Sequence, residues 1–155
     1  MPAITQVAPI SPNQWSRVAP LGSVADWYVD SLESVRRLGN MPENWDGYRS
    51  SSIPVRATIA AGYVLSVVAE HMMVPPHIAP VPGGGIQLEW DRDSRSLELE
   101  IHPNGHLEFL VCEGDEMVDG PLSERILPYL LHWLRTGIPV LLTEYEARKP
   151  STHIG

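Results

Sequence analysis

The sequence predicts an α+β domain with two N-terminal helices, a three-stranded antiparallel meander that a fourth edge strand can extend, and a C-terminal helix. Three observations predict this class. Apolar residues recur at helical spacing before residue 73, alternate with polar residues between positions 86 and 111, and return to helical spacing after position 123. Helices followed by a run of strands are typical of α+β domains.

The first helix follows an N-terminal segment, residues 1–22. Its four prolines and its lack of periodicity predict that it is extended or mobile. Ser23 is a good N-cap, and the Gly39-Asn40 pair ends the helical pattern. Pro54 suits the first turn of a second helix, which we expect to run to about Met73. Because this helix is apolar on nearly all sides, we expect it to be central and buried.

A proline-rich stretch over residues 75–82 predicts a stiff extended connector into the meander. The meander itself follows from period-two alternation, which is typical of strands with one buried and one solvated face. Its inward positions are Ile86, Leu88, Trp90, Leu97, Leu99, Ile101, Leu107, Phe109 and Val111.

The turns of the meander set its register. A three-residue Pro103-Asn104-Gly105 loop keeps every apolar side chain on one face and places Ile101 opposite Leu107. In the first hairpin, pairing Trp90 with Leu97 leaves Arg92-Asp93-Ser94-Arg95 as the loop.

Beyond the meander, residues 114–121 are predicted as an acidic turn and residues 138–143 as the short edge strand. Between them a helix runs from about Glu124 to Thr136, with Ser123 as its cap and Gly137 as its end. A polar tail covers residues 144–155, so the single α+β domain spans residues 23–143.

Composition restricts the class of partner. The chain has 155 residues, enough for one domain with a real core, and a formal net charge of −8. This charge disfavours direct contact with nucleic acid and favours a basic protein or a cation. Cys112 is the single cysteine, which excludes an internal disulfide and suits a reducing compartment. With no signal peptide and no membrane-spanning run, we expect a cytoplasmic protein without a cofactor.

The outward positions of the meander form the first candidate site. The predicted register places Glu89, Glu98, Glu100 and Glu108 on one face, with Glu89 opposite Glu98 and Glu100 opposite Glu108. His102 and His106 oppose each other beside the second pair. Like charges directly opposite destabilise a sheet. Three interpretations stay open: a solvated face, a docking surface for a basic protein, or a metal site that uses His102 and His106.

The loop from Glu43 to Tyr48 is the second candidate. An Asp46-Gly47 step favours a turn, and Trp45 and Tyr48 can anchor the loop or contact a partner. A structural loop, a partner-binding surface made by Trp45, Asp46 and Tyr48, and a general base at Asp46 are the alternatives. The glycine-rich residues 83–85 lack the Lys-Ser/Thr ending of a phosphate-binding loop.

These motifs together resemble a family of small bacterial proteins. The shared pattern is an Asn-Trp-Asp-Gly-Tyr loop, then Pro-x-Pro-x-Gly-Gly-Ile-x-Leu-Glu-Trp, then a Leu-Glu-Leu-Glu-Ile strand. Here the pattern occupies residues 44–48, 80–90 and 97–101. The resemblance implies that this protein accompanies mobile or defence-associated genes. It assigns no catalytic role to any residue of this chain. Gly84 departs from the pattern, which has an acidic residue or Asn there.

The expected function is a non-enzymatic bacterial accessory or regulatory protein, antitoxin-like or defence-associated, that docks a basic partner encoded nearby. No complete catalytic constellation is present in the sequence. The alternatives are a metal-dependent hydrolase or nuclease that uses Glu100, His102, His106 and Glu108, and a small-ligand-binding protein with its site between the second helix and the sheet.

Overall fold

Three helices and a five-stranded antiparallel sheet make up the fold, which confirms the α+β class. The computed structural model describes residues 22–71 and 74–138. In chain order the elements are α1 Gly22–Gly39, α2 Val55–His71, β1 His77–Val81, β2 Gly85–Arg92, β3 Arg95–Ile101, β4 Leu107–Glu113, β5 Glu116–Pro121 and α3 Leu127–Thr136.

The sheet is a meander in the order β1-β2-β3-β4-β5, so each strand pairs with its neighbours along the chain. The predicted register of its middle strands is confirmed: Trp90 lies opposite Leu97, and Ile101 lies opposite Leu107. The first hairpin is tighter than predicted. Arg92 pairs with Arg95, and Asp93 and Ser94 alone make the turn, with Asp93 at a φ of 55°.

The sequence analysis did not predict either outer strand of the observed sheet, so the predicted three-stranded meander contains too few strands. The proline-rich connector forms β1, where Pro80 is tolerated because the strand lies at the sheet edge. The predicted acidic turn over residues 114–121 is wrong beyond its first two residues, because residues from Glu116 onward pair with β4. Of the predicted edge strand at residues 138–143, all but Ile138 lies outside the described residues.

The core lies between the helices and one face of the sheet. Its largest fully buried side chains are Trp133, Leu65, Ile86, Leu88, Leu97, Leu99, Ile101, Leu130, Leu131, Leu134, Val64 and Val68. All those that come from strands occupy alternate positions and point to the same side. The other face of the sheet therefore points away from the helices.

Helix α2 is less buried than its sequence suggested. It buries the stripe of Ala57, Ala61, Val64, Leu65 and Val68, and both alanines are fully inaccessible. On its other side Val55 is 71% and Ile59 is 68% exposed, so the prediction of a helix buried all round is wrong. Among the described elements, none packs on this side of α2.

Helix α3 begins at Leu127, three residues later than predicted. The Ser123 hydroxyl accepts a hydrogen bond from the Ile126 amide at 3.3 Å, so it caps the turn that precedes the helix. Gly137 ends the helix as predicted, with a φ of 76°. Arg95, at the start of β3, donates two hydrogen bonds to the Leu134 carbonyl, at 3.2 and 2.9 Å, which ties the helix end to the sheet.

The turns at one end of the sheet pack against the chain that enters α2. Gly84 has a φ of 98°, and a Cβ atom there would lie 3.0 Å from the Ser52 carbonyl oxygen and 3.4 Å from Pro103. Glycine therefore fits this position for two reasons, its backbone angle and its close contacts. Within the described ranges, no helix is both long and apolar enough to span a bilayer.

Candidate functional site

The face of the sheet that points away from the helices is strongly acidic. His77, Glu89, Glu98, Leu110 and Asp119 lie opposite one another in a single row across all five strands. We call the carboxylates of this side the acidic face; they are Glu89, Asp91, Glu98, Glu100, Glu108 and Asp119. Among the described strand positions on this side, none carries Lys or Arg.

The four predicted glutamates are brought together as expected. Glu89 lies directly opposite Glu98, and Glu100 lies directly opposite Glu108. Asp91 and Asp119 were missed. Asp91 continues the outward alternation of β2, so its place on this face could have been predicted from the sequence. Asp119 belongs to β5, and without that strand it had no predicted place in the sheet.

Glu98 lies close to three other carboxylates of the acidic face, Glu89, Asp91 and Glu100. Burial raises its pKa above the ordinary value, because water is partly removed from the carboxyl, and repulsion from Glu89, Asp91 and Glu100 raises the pKa further. A depression of about 200 Å³ lies beside it and is lined by Glu98, Glu100, Glu108, Phe109, Leu110 and Asp119. The face thus offers a shallow negative recess with an apolar side chain in it.

At the β3–β4 turn, two histidines join the acidic face. His102 Nε2 lies 3.1 Å from Glu108 Oε2, and His102 Nδ1 lies 3.9 Å from Glu100 Oε1. His106 Nε2 lies 3.8 Å from Glu108 Oε1, and the two imidazole rings are 5.9 Å apart. The predicted grouping of these four side chains is therefore present in the structure.

Backbone hydrogen bonds hold this turn. The His102 amide donates to the His106 carbonyl at 2.9 Å, and the Gly105 amide donates to the His102 carbonyl at 2.8 Å. Asn104 accepts a hydrogen bond from the His106 amide at 2.9 Å, and Gly105 has the predicted left-handed conformation, with a φ of 84°. Hydrogen bonds within the turn thus hold the backbones of both histidines in place.

The loop between α1 and α2 is held by its own side chains. Asp46 Oδ1 accepts hydrogen bonds from the amides of Tyr48 at 2.8 Å and Ser50 at 3.2 Å, and Oδ2 accepts one from the Ser50 hydroxyl. The bond from the Ser50 hydroxyl is the main reason that the pKa of Asp46 is lowered. A carboxylate with both oxygens engaged and a low pKa is a weak base, which favours a structural role.

The two aromatic residues of this loop differ. The Trp45 indole donates to the Ser51 carbonyl at 3.2 Å, so its polar edge is used within the loop. Tyr48 is 88% exposed, so its ring is open to a partner.

Comparison with known proteins does not identify the function of this site. No protein-family model, curated protein or solved structure matches the chain. The resemblance in residues 44–48, 80–90 and 97–101 therefore stays a prediction, and function has to be argued from the acidic face itself.

Proposed function

We propose that this protein is a non-enzymatic accessory or regulatory module that binds a basic segment of another protein on the acidic face. The observation that carries the proposal is the presence of six carboxylates on a sheet face that none of the three described helices covers, without Lys or Arg on the described strand positions of that side. Lys and Arg from a partner would supply the missing positive charge.

Electrostatic repulsion within the face supports a charged occupant. Two pairs of glutamates lie directly opposite each other, and like charges in that position destabilise a sheet. A basic segment would relieve this repulsion on binding. Complementary charge also speeds association and excludes acidic partners, including the phosphate backbone of nucleic acids.

Apolar side chains on the same side of the sheet offer packing contacts to a bound segment, in addition to the charge interactions. Leu110 lies between Glu98 and Asp119 in the cross-strand row, and Met117, on the edge strand, is exposed. The aliphatic stems of Lys and Arg pack well on such surfaces while their charged ends reach carboxylates. The occupant that fits is therefore a Lys- or Arg-rich segment with an apolar residue near its centre.

The resemblance seen in the sequence supports an accessory role, antitoxin-like or defence-associated, with the partner encoded by a neighbouring gene. Tyr48 and the loop around Asp46 are proposed as a second contact region, because the loop is held in place while Tyr48 is open to solvent.

Charge reversal tests the proposal. The double variant Glu98→Lys, Glu100→Lys and the wild-type protein are used to capture partners from lysate of the source organism, in EDTA. The matched control is Asp26→Lys, Glu70→Lys, which changes the net charge equally at exposed helix positions. We expect one basic protein to be recovered with the wild type and the control and lost with the face variant.

The recovered protein is then purified and its affinity measured at 50 and 300 mM salt. We expect the face variant to bind at least tenfold more weakly, and wild-type binding to weaken with salt. Equal affinity of the face variant and the control for that protein would refute docking on the acidic face.

A further inference from the structure

We propose that Glu100, His102 and Glu108 form a binding site for a divalent transition metal ion of the zinc class, with His106 as a neighbouring fourth donor. The site lies at the β3–β4 turn, at one end of the acidic face. It shares Glu100 and Glu108 with the acidic face, but it also requires His102, and partner docking is tested in EDTA, so the two proposals can fail separately.

The donor atoms are already close to one another. One ligand atom from each of Glu100, His102 and Glu108 can be chosen so that all three lie within 4.8 Å of one another. In a tetrahedral zinc site with bonds of about 2.0–2.1 Å, ligand atoms lie about 3.3 Å apart. The 3.1 Å separation of His102 Nε2 and Glu108 Oε2 is near that value. Glu100 Oε1 lies 3.9 Å from the other ring nitrogen, Nδ1, so coordination through Nε2 requires its carboxylate to move toward Glu108.

The state of the His102 ring is a second observation that points to a ligand. Less than 1 Å² of its Nε2 atom is accessible, although the side chain as a whole is 31% exposed. This shielded nitrogen lies 3.1 Å from Glu108 Oε2, without the geometry of a hydrogen bond to any described residue. A metal ion bound there would coordinate both atoms.

The types of donor select the class of metal. One imidazole with two carboxylates is a mixed nitrogen and oxygen set, which suits zinc and its neighbours. Magnesium and calcium prefer six or more oxygen ligands, including water and carbonyl groups. Two carboxylates and a neutral imidazole also balance the charge of a divalent ion and relieve the repulsion between Glu100 and Glu108, which lie opposite each other.

Coordination by three side chains would leave a position for water. That arrangement is found in catalytic zinc sites, whereas structural sites are closed by four protein ligands. The alternative function of a metal-dependent hydrolase or nuclease therefore depends on this site and on whether His106, 3.8 Å from Glu108, occupies the fourth position.

Zinc titration of protein purified without a histidine tag and stripped with a chelator tests the site. We expect saturable binding of one zinc ion per chain by calorimetry, unaffected by 1 mM magnesium. His102→Ala and Glu108→Gln should each weaken binding at least tenfold. His71→Ala is the matched control, because it removes an exposed histidine on α2 and should leave the affinity unchanged.

Thermal unfolding in EDTA checks that each variant folds, and cobalt binding gives a second measurement. Intense visible absorption of the cobalt protein, lost in His102→Ala, is expected for a low-coordinate site with a nitrogen donor. Absence of stoichiometric zinc binding, or equal affinity in wild type and His102→Ala, would overturn the proposal. Since partner capture is carried out in EDTA, failure of that experiment does not affect this one.

Discussion

Replacement of Glu98 by glutamine should stabilise the protein at neutral pH. Glutamine keeps the size of the side chain and removes its charge. Glu98 lies directly opposite Glu89 on β2, and repulsion from Asp91 and Glu100 adds to that of this pair. On β4 its opposite residue is Leu110, which offers no compensating charge. The variant therefore loses repulsion from three carboxylates at once.

The expected gain follows from the cross-strand pair. Like charges directly opposite in an antiparallel sheet are unfavourable by about 0.2–1 kcal/mol, and the more distant carboxylates add less than that. We expect the free energy of unfolding at pH 7 to rise by roughly 0.5–1 kcal/mol. For a chain of this size, that corresponds to an increase in Tm of about 1–4 °C.

The pH dependence has a definite sign. Because the folded protein raises the pKa of Glu98, it binds this proton more tightly than the unfolded chain does. The stability from protonated Glu98 is present below the ordinary carboxyl pKa and is lost as pH rises through the folded value. The advantage of the glutamine variant should therefore be complete at pH 7, shrink as pH falls through the raised folded value, and be largely gone below 4.5, the ordinary value.

Urea unfolding at several pH values and at 0.05 and 1 M salt measures this effect. The matched control is Gln87→Glu, which makes the reverse change on the same side of the sheet, opposite Glu100, and should destabilise the protein by a similar amount. A loss of stability in Glu98→Gln at pH 7, or a gain that is the same at both salt concentrations, would refute the reasoning.

Three further predictions concern the core, the helix end and the loop. Leu99→Ala should lower the free energy of unfolding in urea by about 2–5 kcal/mol, because Leu99 is buried in the central strand. Val55→Ala, on the exposed side of α2, is the control and should change it by less than about 0.5 kcal/mol. Similar losses in the two variants would contradict the placement of the core. Arg95→Ala should remove both hydrogen bonds to the Leu134 carbonyl and lower the free energy of unfolding by about 1–3 kcal/mol. Amide hydrogen exchange in the last turn of α3 should become faster. Unchanged exchange there would show that the contact does not hold the helix end. The lowered pKa of Asp46 contributes stability that is present above its ordinary value and lost as pH falls through the folded value. Asp46→Asn should therefore be less stable than wild type at pH 7 and lose less on acidification, by thermal unfolding; parallel pH profiles would contradict this.

The sequence alone determined the centre of the sheet. In β2 and β3 apolar and polar residues alternate, and β4 follows the same pattern except for the outward Leu110, so a one-residue slip would expose the apolar set. The turn at Pro103-Asn104-Gly105 then allowed one register, which set Glu100 opposite Glu108 and His102 beside His106. The ends of α1 and α3 were also predictable: α1 ends at Gly39, and Gly137 stops α3 with a left-handed φ of 76°.

Only the tertiary structure decided the rest. Strands β1 and β5 have little apolar alternation, because edge strands are held by the backbone ladder of a neighbour more than by burial of their own side chains. Their addition brought His77 and Asp119 into the row with Glu98. The exposed side of α2 likewise depended on which layers pack against it, a property that hydrophobicity along a single helix does not contain. The shielding of His102 Nε2 is also tertiary, since this atom lies 3.1 Å from a carboxylate on the strand that follows the turn.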